Sequence, residues 1–417
     1  MFRLSRCVRA LNGKGLFMPF MFEPFRATFY NPAKFKNLDK VACPPYDVIT
    51  EKSLKALRAN SPYNFSRVDL AESGDYKAIG DTFRGWLRDQ VMVDDTQENF
   101  YLCGQQFKVE GKSFWRFGIL GALKMNKPGM IRPHEYTHAK AKEDRAKMIR
   151  ETQANLSPVF VVAPKKITFL RSLYKKYLKS KPFFTFKDAE GTQSRLWKIS
   201  DAAAIKKVSQ SFEKIKFIIA DGHHRFEVAY DFFQEYKGKI KGAESVLAYM
   251  VEEQPGLVIL PINRVVELSY PAQELFKRLE EYFAIKMVSE NTLKTALKER
   301  GGFLFGIRAE NKFYLARLKK PALLDKIIKE RVFRKLDTYV LSSLVYPLLD
   351  IEKPCAYANN FAQVKEMAVN GRVVFVMRPA DMKNICDIVD SGLKMPQKST
   401  YFHPKIGSGL VIRRFYQ

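Results

Sequence analysis

The stretch Lys216-Phe217-Ile218-Ile219-Ala220-Asp221-Gly222-His223-His224-Arg225 constrains this chain more than any other. The apolar run Phe217–Ala220 reads as a short strand and Gly222 as a tight turn. Phe226, Ala229, Tyr230 and Phe233 recur at helical spacing, which predicts a helix from Arg225 to about Tyr236. A turn that enters a helix points unpaired backbone N–H groups outward, and the helix dipole adds partial positive charge, so anions and above all phosphate settle there. The turn also carries chemistry of its own. Arg225 can grip a phosphate through two parallel hydrogen bonds. Asp221 can hold Mg²⁺ or orient a neighbour, and His223 and His224 can change charge near neutral pH. A capping Asp beside exposed histidines is the bland reading; four such residues at one helix start favour a site.

A chain of 417 residues has room for two domains, or for one with a large elaboration. The division expected here is 19–265, an α/β region carrying the catalytic groups, and 266–417, a second α/β region that lends a loop to the site. The net charge of +27 attracts polyanions, whether nucleic acid, anionic membranes or phosphorylated small molecules. The basic residues are spread along the chain in short pairs such as Lys165-Lys166 and Lys319-Lys320, with no nucleic-acid-binding signature, so nucleic acid is the second choice of partner. Cys7, Cys43, Cys103, Cys355 and Cys386 are odd in number and far apart, which suits a reducing cytosol. No apolar run approaches the ~20 residues of a membrane span. Residues 1–18 hold Arg3, Arg6, Arg9 and Lys14 and no acid, and read either as a short targeting extension or as an early start.

In chain order, Val41–Ile49 reads as an apolar strand broken at Pro44-Pro45, a rigid turn that presents Tyr46 and Asp47. Helices are expected at 51–60 and 75–90, and a hairpin at 99–109 and 113–124 around Glu110-Gly111-Lys112. A polar helix follows His138 and ends near Asn155, because Ser157-Pro158 forbids continuation. Strands are expected at Val246–Val251 and Leu257–Pro261, helices at 271–283 and 290–299, and a second hairpin at 303–308 and 313–318. A helix at 336–349, a strand at 372–378, a helix at 380–390 and a closing strand Leu410–Arg413 complete the reading.

The string His134-Glu135-x-x-His138 matches the zinc-protease pattern, which on a helix puts both imidazoles on one face with the Glu able to activate water. Pro133 directly before it, Lys140 where such helices usually bury an apolar residue and the want of a third ligand at a familiar spacing make a metallopeptidase the minor alternative. All five histidines, His134, His138, His223, His224 and His403, lie in polar segments near turns. If these segments converge, they form a pocket with Glu135, Asp221, Arg225 and several lysines. That chemistry suits phosphoryl transfer, where positioning and charge neutralisation do most of the work. The tail adds small hydroxyl groups beside lysines in Lys398-Ser399-Thr400-Tyr401-Phe402-His403-Pro404-Lys405, followed by Gly407-Ser408-Gly409.

Pro44-Pro45-Tyr46-Asp47-Val48-Ile49, His134-Glu135 with Lys142-Glu143-Asp144-Arg145, Asn155-Leu156-Ser157-Pro158, Ala220 to Arg225, and Ser399 to Lys405 occur in that order. Together they resemble domain-of-unknown-function family 1015 over roughly residues 19–417. The central motif Asp221-Gly222-His223-His224-Arg225 is also similar to that of free serine kinases of the ParB/sulfiredoxin-like fold. In those proteins an equivalent turn holds the nucleotide phosphates and an upstream Glu activates the serine hydroxyl. The resemblance implies a mixed α/β fold with a ParB/sulfiredoxin-like core and a large α/β elaboration. It implies Asp221 as ligand of metal or substrate, Gly222 to Arg225 as a phosphate cradle, His223 and His224 as catalytic neighbours, and Glu135 as the base. Tyr46, Asp47, Lys142, Arg145, Lys398, Ser399, Thr400, His403 and Lys405 are the remaining candidates for holding phosphate or substrate. The activity implied is a phosphotransferase acting on a small hydroxy amino acid, L-serine first, with Mg²⁺ and with ATP, ADP or pyrophosphate as donor. A phosphoserine phosphatase and a ParB-like nucleotide-dependent nucleic-acid-binding protein are the alternatives.

Overall fold

The computed structural model describes residues 20–71, 74–137 and 139–415. The extension expected at 1–18, and His138, lie outside the described residues.

A nine-stranded mixed sheet positions the site. Among the described residues its path runs Ile131–Arg132, Phe217–Asp221, Val159–Ala163, Ser245–Glu252, Lys112–Lys124, Phe100–Val109, Gln193–Ile199 and Phe184–Lys187. Phe22–Glu23 pairs beside Lys112–Lys124. Ser245–Glu252 runs parallel to Val159–Ala163, and Phe217–Asp221 parallel to Ile131–Arg132; the other pairings are antiparallel. The central strands Val159–Ala163 and Ser245–Glu252 are buried at every position, as strands covered on both faces must be. Their side chains alternate between two cores. Phe160, Val162, Ile218, Ala220, Leu247 and Tyr249 enter one, and Val159, Val161, Phe217, Ile219, Ala248 and Met250 the other. The second core is roofed by helices, including Thr168–Leu178, Ala202–Phe212 and His223–Glu235.

A six-stranded antiparallel sheet follows in the order Phe283–Val288, Lys312–Leu318, Leu304–Ala309, Arg372–Val376, Asn263–Glu267, Ala356–Ala358. Both hairpins expected from sequence form. Each turns on two residues with positive φ, Glu110 and Gly111 in one and Glu310 and Asn311 in the other, the twist that two-residue hairpins favour. The first sheet draws on residues 22–252 and the second on 263–376, while one apolar cluster runs through both from Phe25 to Ile412. The architecture is thus the mixed α/β class expected.

Three expected elements differ. Val41–Ile49 is not a strand: Cys43 makes a lone bridge to Ser408, and Tyr46–Val48 is one 3-10 turn, because Pro44 and Pro45 offer no N–H for a ladder. The 336–349 helix is interrupted by a π-turn at Leu341–Val345, just before Pro347. At the closing strand only Arg413–Arg414 forms a ladder, with Ala154–Asn155, whereas Ile412 makes a single bridge to Thr28. Between these ends the chain returns from the second sheet to the first. Tyr401–His403 pairs with Val258–Leu260 and leads the tail across the mouth of the site.

Candidate functional site

The expected segments do converge. A cavity of about 720 Å³ is lined by Tyr46 and Asp47, by Glu135, by Asp221, Gly222, His223, His224 and Arg225, and by Lys398, Thr400 and Lys405. The strand Phe217–Asp221 carries a bulge between Ile219 and Asp221, an irregularity that re-aims the side chain at its end. Gly222 then takes φ +88°, ψ 32°, a left-handed conformation that costs other residues ~1–2 kcal/mol. A Cβ there would lie 2.9 Å from Arg225 Nε, so both backbone and space require glycine. Because Gly222 makes the turn in one residue, the helix starts at His223, two residues earlier than the spacing predicts, and ends at Glu235. No side chain caps it. Its first residues line the cavity, so the uncapped N–H groups and the positive end of the dipole belong to the cavity wall.

Charge is concentrated at that wall. Lys405 Nζ lies 2.8 Å from Asp221 Oδ1 and also pairs with Asp47. Arg225 Nη2 lies 2.5 Å from Asp221 Oδ2, and Arg225 Nη1 donates to the Pro158 carbonyl. Burial alone would raise the Asp221 carboxyl, but the Lys405 and Arg225 charges overcome it and hold the group well below the usual carboxylate range. Burial would likewise lower Lys405, and Asp221 and Asp47 reverse that, keeping the ammonium charged. Arg225 therefore spends its fork on Asp221 and Pro158 instead of presenting it to a ligand. Asp221, expected to hold metal, has both oxygens committed. Lys405 Nζ stands between the two carboxylates where a divalent cation would stand, so as arranged they suit an ammonium and not Mg²⁺. Among the described residues no three His, Cys, Asp or Glu side chains are grouped as a metal site.

Across the cavity, Glu135 Oε1 accepts from the backbone N–H groups of Ser399 (3.2 Å) and Thr400 (3.3 Å) and from the Thr400 hydroxyl (3.2 Å). All three bonds fall on one oxygen. His134 is wholly buried behind it. Its Nδ1 is 2.5 Å from the Ile219 carbonyl, its Nε2 2.8 Å from Thr400 Oγ1 and 3.7 Å from Glu135 Oε1. The His134 N–H donates to His223 Nε2 at 3.3 Å. Burial, with His134 beside it, pushes His223 down to about 3, so the ring is neutral and able to accept that bond. Burial would raise Glu135, but His134, then His223 and the Thr400 hydroxyl outweigh it and hold the carboxyl at about 2. Glu135 is thus ionised at any working pH.

Four expected site residues are used elsewhere. Lys142 pairs with Glu227 of the His223–Glu235 helix at 3.2 Å, outside the cavity lining. Arg145 is buried against Asp69 (3.0 Å) and Asp144 (2.6 Å) and lies under the Tyr46 ring at 4.1 Å, so it supports Tyr46 and faces no ligand. Ser399 Oγ bonds the Pro396 carbonyl at 2.6 Å, and only its N–H serves the site. His403 points into a neighbouring cleft, because it alternates with Phe402 along its strand. Residues 134–137 precede the Ala139–Thr152 helix and are not helical, which removes the frame the zinc-protease pattern needs.

Two residues outside the expected set matter. His134 stands in the sequence among the histidines and beside Glu135 in the motif, with no role of its own assigned there. Arg116, fully buried, donates to the His403 carbonyl (3.1 Å), to Gln105 Oε1 (2.6 Å) and to the Pro404 carbonyl, and so fixes the turn that delivers Lys405. Its place in the middle of the 113–124 strand pattern gave no sign of this.

A family model described as protein of unknown function (DUF1015) matches residues 22–339. No curated protein matches the chain. Among solved structures, SbnI with a C-terminal truncation from Staphylococcus aureus is similar at 12% identity and a TM-score of 0.35, covering 71% of this chain and 82% of that one. A conserved hypothetical protein from Pyrococcus furiosus is similar at 14% identity and TM-score 0.33, covering 70% of this chain and 95% of that one. A free serine kinase variant in complex with ADP is similar at 14% identity and TM-score 0.34, covering 68% and 86%.

Proposed function

We propose that this chain, which belongs to the DUF1015 family, is a nucleotide-dependent phosphotransferase acting on a small hydroxy amino acid, L-serine first among them. The observation that carries the reading is the facing of two unlike walls across one cavity. One wall is an uncapped helix start with Lys405 charged beside it; the other is Glu135, ionised, whose hydrogen bonds from the described residues all fall on Oε1. On this reading the donor's phosphates lie against the N–H groups of Gly222 to Arg225, where Lys405 neutralises charge that develops during transfer. The acceptor hydroxyl donates to Glu135 Oε2, which points it at the phosphorus.

At about 2, Glu135 is a weak base. That is compatible with a loose phosphoryl-transfer transition state, in which positioning and electrostatics outweigh early proton removal. The Thr400 hydroxyl stands between Glu135 Oε1 and His134 Nε2 and so fixes the carboxylate's orientation. His224 and Lys398 on the lining, with Tyr46 and Asp47, close the pocket around the ligands. Any Mg²⁺ would be held by the donor's own phosphates, where it would neutralise their charge, since Asp47 and Asp221 already hold Lys405. The free thiols Cys43, Cys103, Cys355 and Cys386 fit work in a reducing cytosol.

Phosphorus NMR of serine and phosphoserine with ATP, ADP and pyrophosphate, each with Mg²⁺, tests the proposal. Phosphoserine formed from a nucleotide donor supports it. Release of phosphate from phosphoserine without donor turns the same groups into a phosphatase, and no change in any mixture removes the assignment.

A further inference from the structure

Beside the site lies a second compartment of about 870 Å³ that no part of the phosphotransfer chemistry uses. It opens between the two sheets. The first sheet supplies the hairpin at Phe107 and the loop at Glu190, and the second supplies Asn263 and the segment 359–363. Glu190, Asn359, Gln363 and Tyr401 line both this cleft and the site cavity, so the two are continuous. Its volume falls within the ~300–1,000 Å³ of pockets that enclose small organic ligands.

The walls are of a definite kind. Phe107, Phe361, Tyr401 and His403 present four rings. Phe107 is buried, stacks on Phe114 and meets His403 edge to face at 5.3 Å, so the half-buried rings of Phe361, Tyr401 and His403 are the ones that can take a planar partner. His403 Nδ1 is buried without a hydrogen-bond partner, and such an atom in a polar pocket wants one. Asn359, Gln363 and Gln193 add amides, which can both donate and accept. The charged side chains, Lys108, Lys187 and Lys294 against Glu110 and Glu190, nearly cancel. A second polyphosphate would meet no concentrated positive charge here, whereas a neutral heteroaromatic ring with a hydroxylated sugar would find stacking faces and hydrogen-bonding edges.

The throat also decides which end of the reaction the cleft serves. Tyr401 borders both cavities, and its strand, Tyr401–His403, runs through the turn that Arg116 holds at His403 and Pro404 directly into Lys405. The cleft therefore joins the site at the Lys405–Asp221 wall, where the donor's phosphates are placed. We infer that the cleft formed by Phe107, Phe361, Tyr401 and His403 binds the nucleoside moiety of the donor, whose phosphates pass Tyr401 to the helix start at Gly222. This inference rests on the proposed function for the phosphate end, and it selects a nucleotide over inorganic pyrophosphate.

Calorimetry with ADP and with pyrophosphate, each with Mg²⁺, tests it on the full chain. Two variants narrow the cleft or strip a wall at exposed or half-buried positions, Gln193→Trp and Phe361→Ala. The expected result is tenfold or greater weakening of ADP in both, with pyrophosphate binding unchanged and with thermal melts like wild type. ADP binding equal in wild type and variants overturns the inference, as does a wild type that binds pyrophosphate and not ADP, or a parallel loss of both ligands. If a variant fails to fold, competition decides. Adenosine that displaces ADP from wild type supports the inference, and adenosine that does not displace it overturns it. The expected binding pattern without any phosphoryl transfer would refute the proposed function and leave the cleft assignment standing.

Discussion

Replacing Glu135 with Gln changes one charge and almost no volume, and its consequences can be worked from the site. The carboxyl sits at about 2 against an ordinary 4.5. At ~1.4 kcal/mol per tenfold change in proton affinity, that difference is worth about 3 kcal/mol of stability. Since the folded value is depressed, the contribution is fully present above pH 4.5 and is lost as pH falls through 4.5 towards 2. Wild type should therefore lose about 3 kcal/mol more than Glu135→Gln over that window in urea titrations at stepped pH. At neutral pH the variant should be less stable by no more than the same amount, because Gln can still accept the N–H bonds of Ser399 and Thr400. Activity should suffer more. A group that orients and accepts from the reacting hydroxyl is worth ~10²–10⁴-fold, so serine phosphorylation by the variant should fall at least a hundredfold in kcat while nucleotide binding holds. A variant that retains kcat within about fivefold of wild type, or whose acid unfolding curve is parallel to that of wild type, would refute the reasoning.

Other perturbations separate the two walls. Gly222→Ala forces a Cβ onto Arg225 Nε in a left-handed turn; it should cost ~2–3 kcal/mol in denaturant melts and weaken donor binding. Asp221→Ala strands Lys405 and Arg225 without their shared partner, so it should destabilise by ~3–5 kcal/mol, while Asp221→Asn is milder and should still cut transfer at least tenfold by calorimetrically checked, folded protein. Arg116→Lys cannot reach the carbonyls of His403 and Pro404 and Gln105 together, and it should raise KM for the donor through a displaced Lys405, with Lys405→Met giving a similar loss and no further loss in the double variant. Metal analysis of the purified protein should find no stoichiometric zinc, and chelation of zinc should leave its melting temperature unchanged; a bound equivalent would revive the peptidase reading.

The local grammar of the chain determined much of this by itself. The apolar run before Asp221, the glycine after it and the spacing of Phe226, Ala229 and Phe233 announced a strand, a turn and a helix, because burial on a pleat and on a helix face leave different periods. Both hairpins were legible for the same reason, since their turns need residues that accept positive φ. Much of the cavity lining was also visible, as polar residues crowded at segment ends have few structural reasons to be there.

What each polar group does was a different matter, because it depends on which partners arrive from distant segments. Arg225, Lys142 and Arg145 are alike as free cations, yet Asp221 with Pro158, Glu227, and Asp69 with Asp144 claimed them in turn. Lys405, one basic residue in the tail, became the charge between Asp47 and Asp221 only because Arg116 holds its turn in place. The alternation of a two-stranded ribbon sent His403 to one cavity while Tyr401 came to border both. Periodicity is written along the chain, but pairing is settled across it, and a charge acquires its role from whatever lies opposite in space.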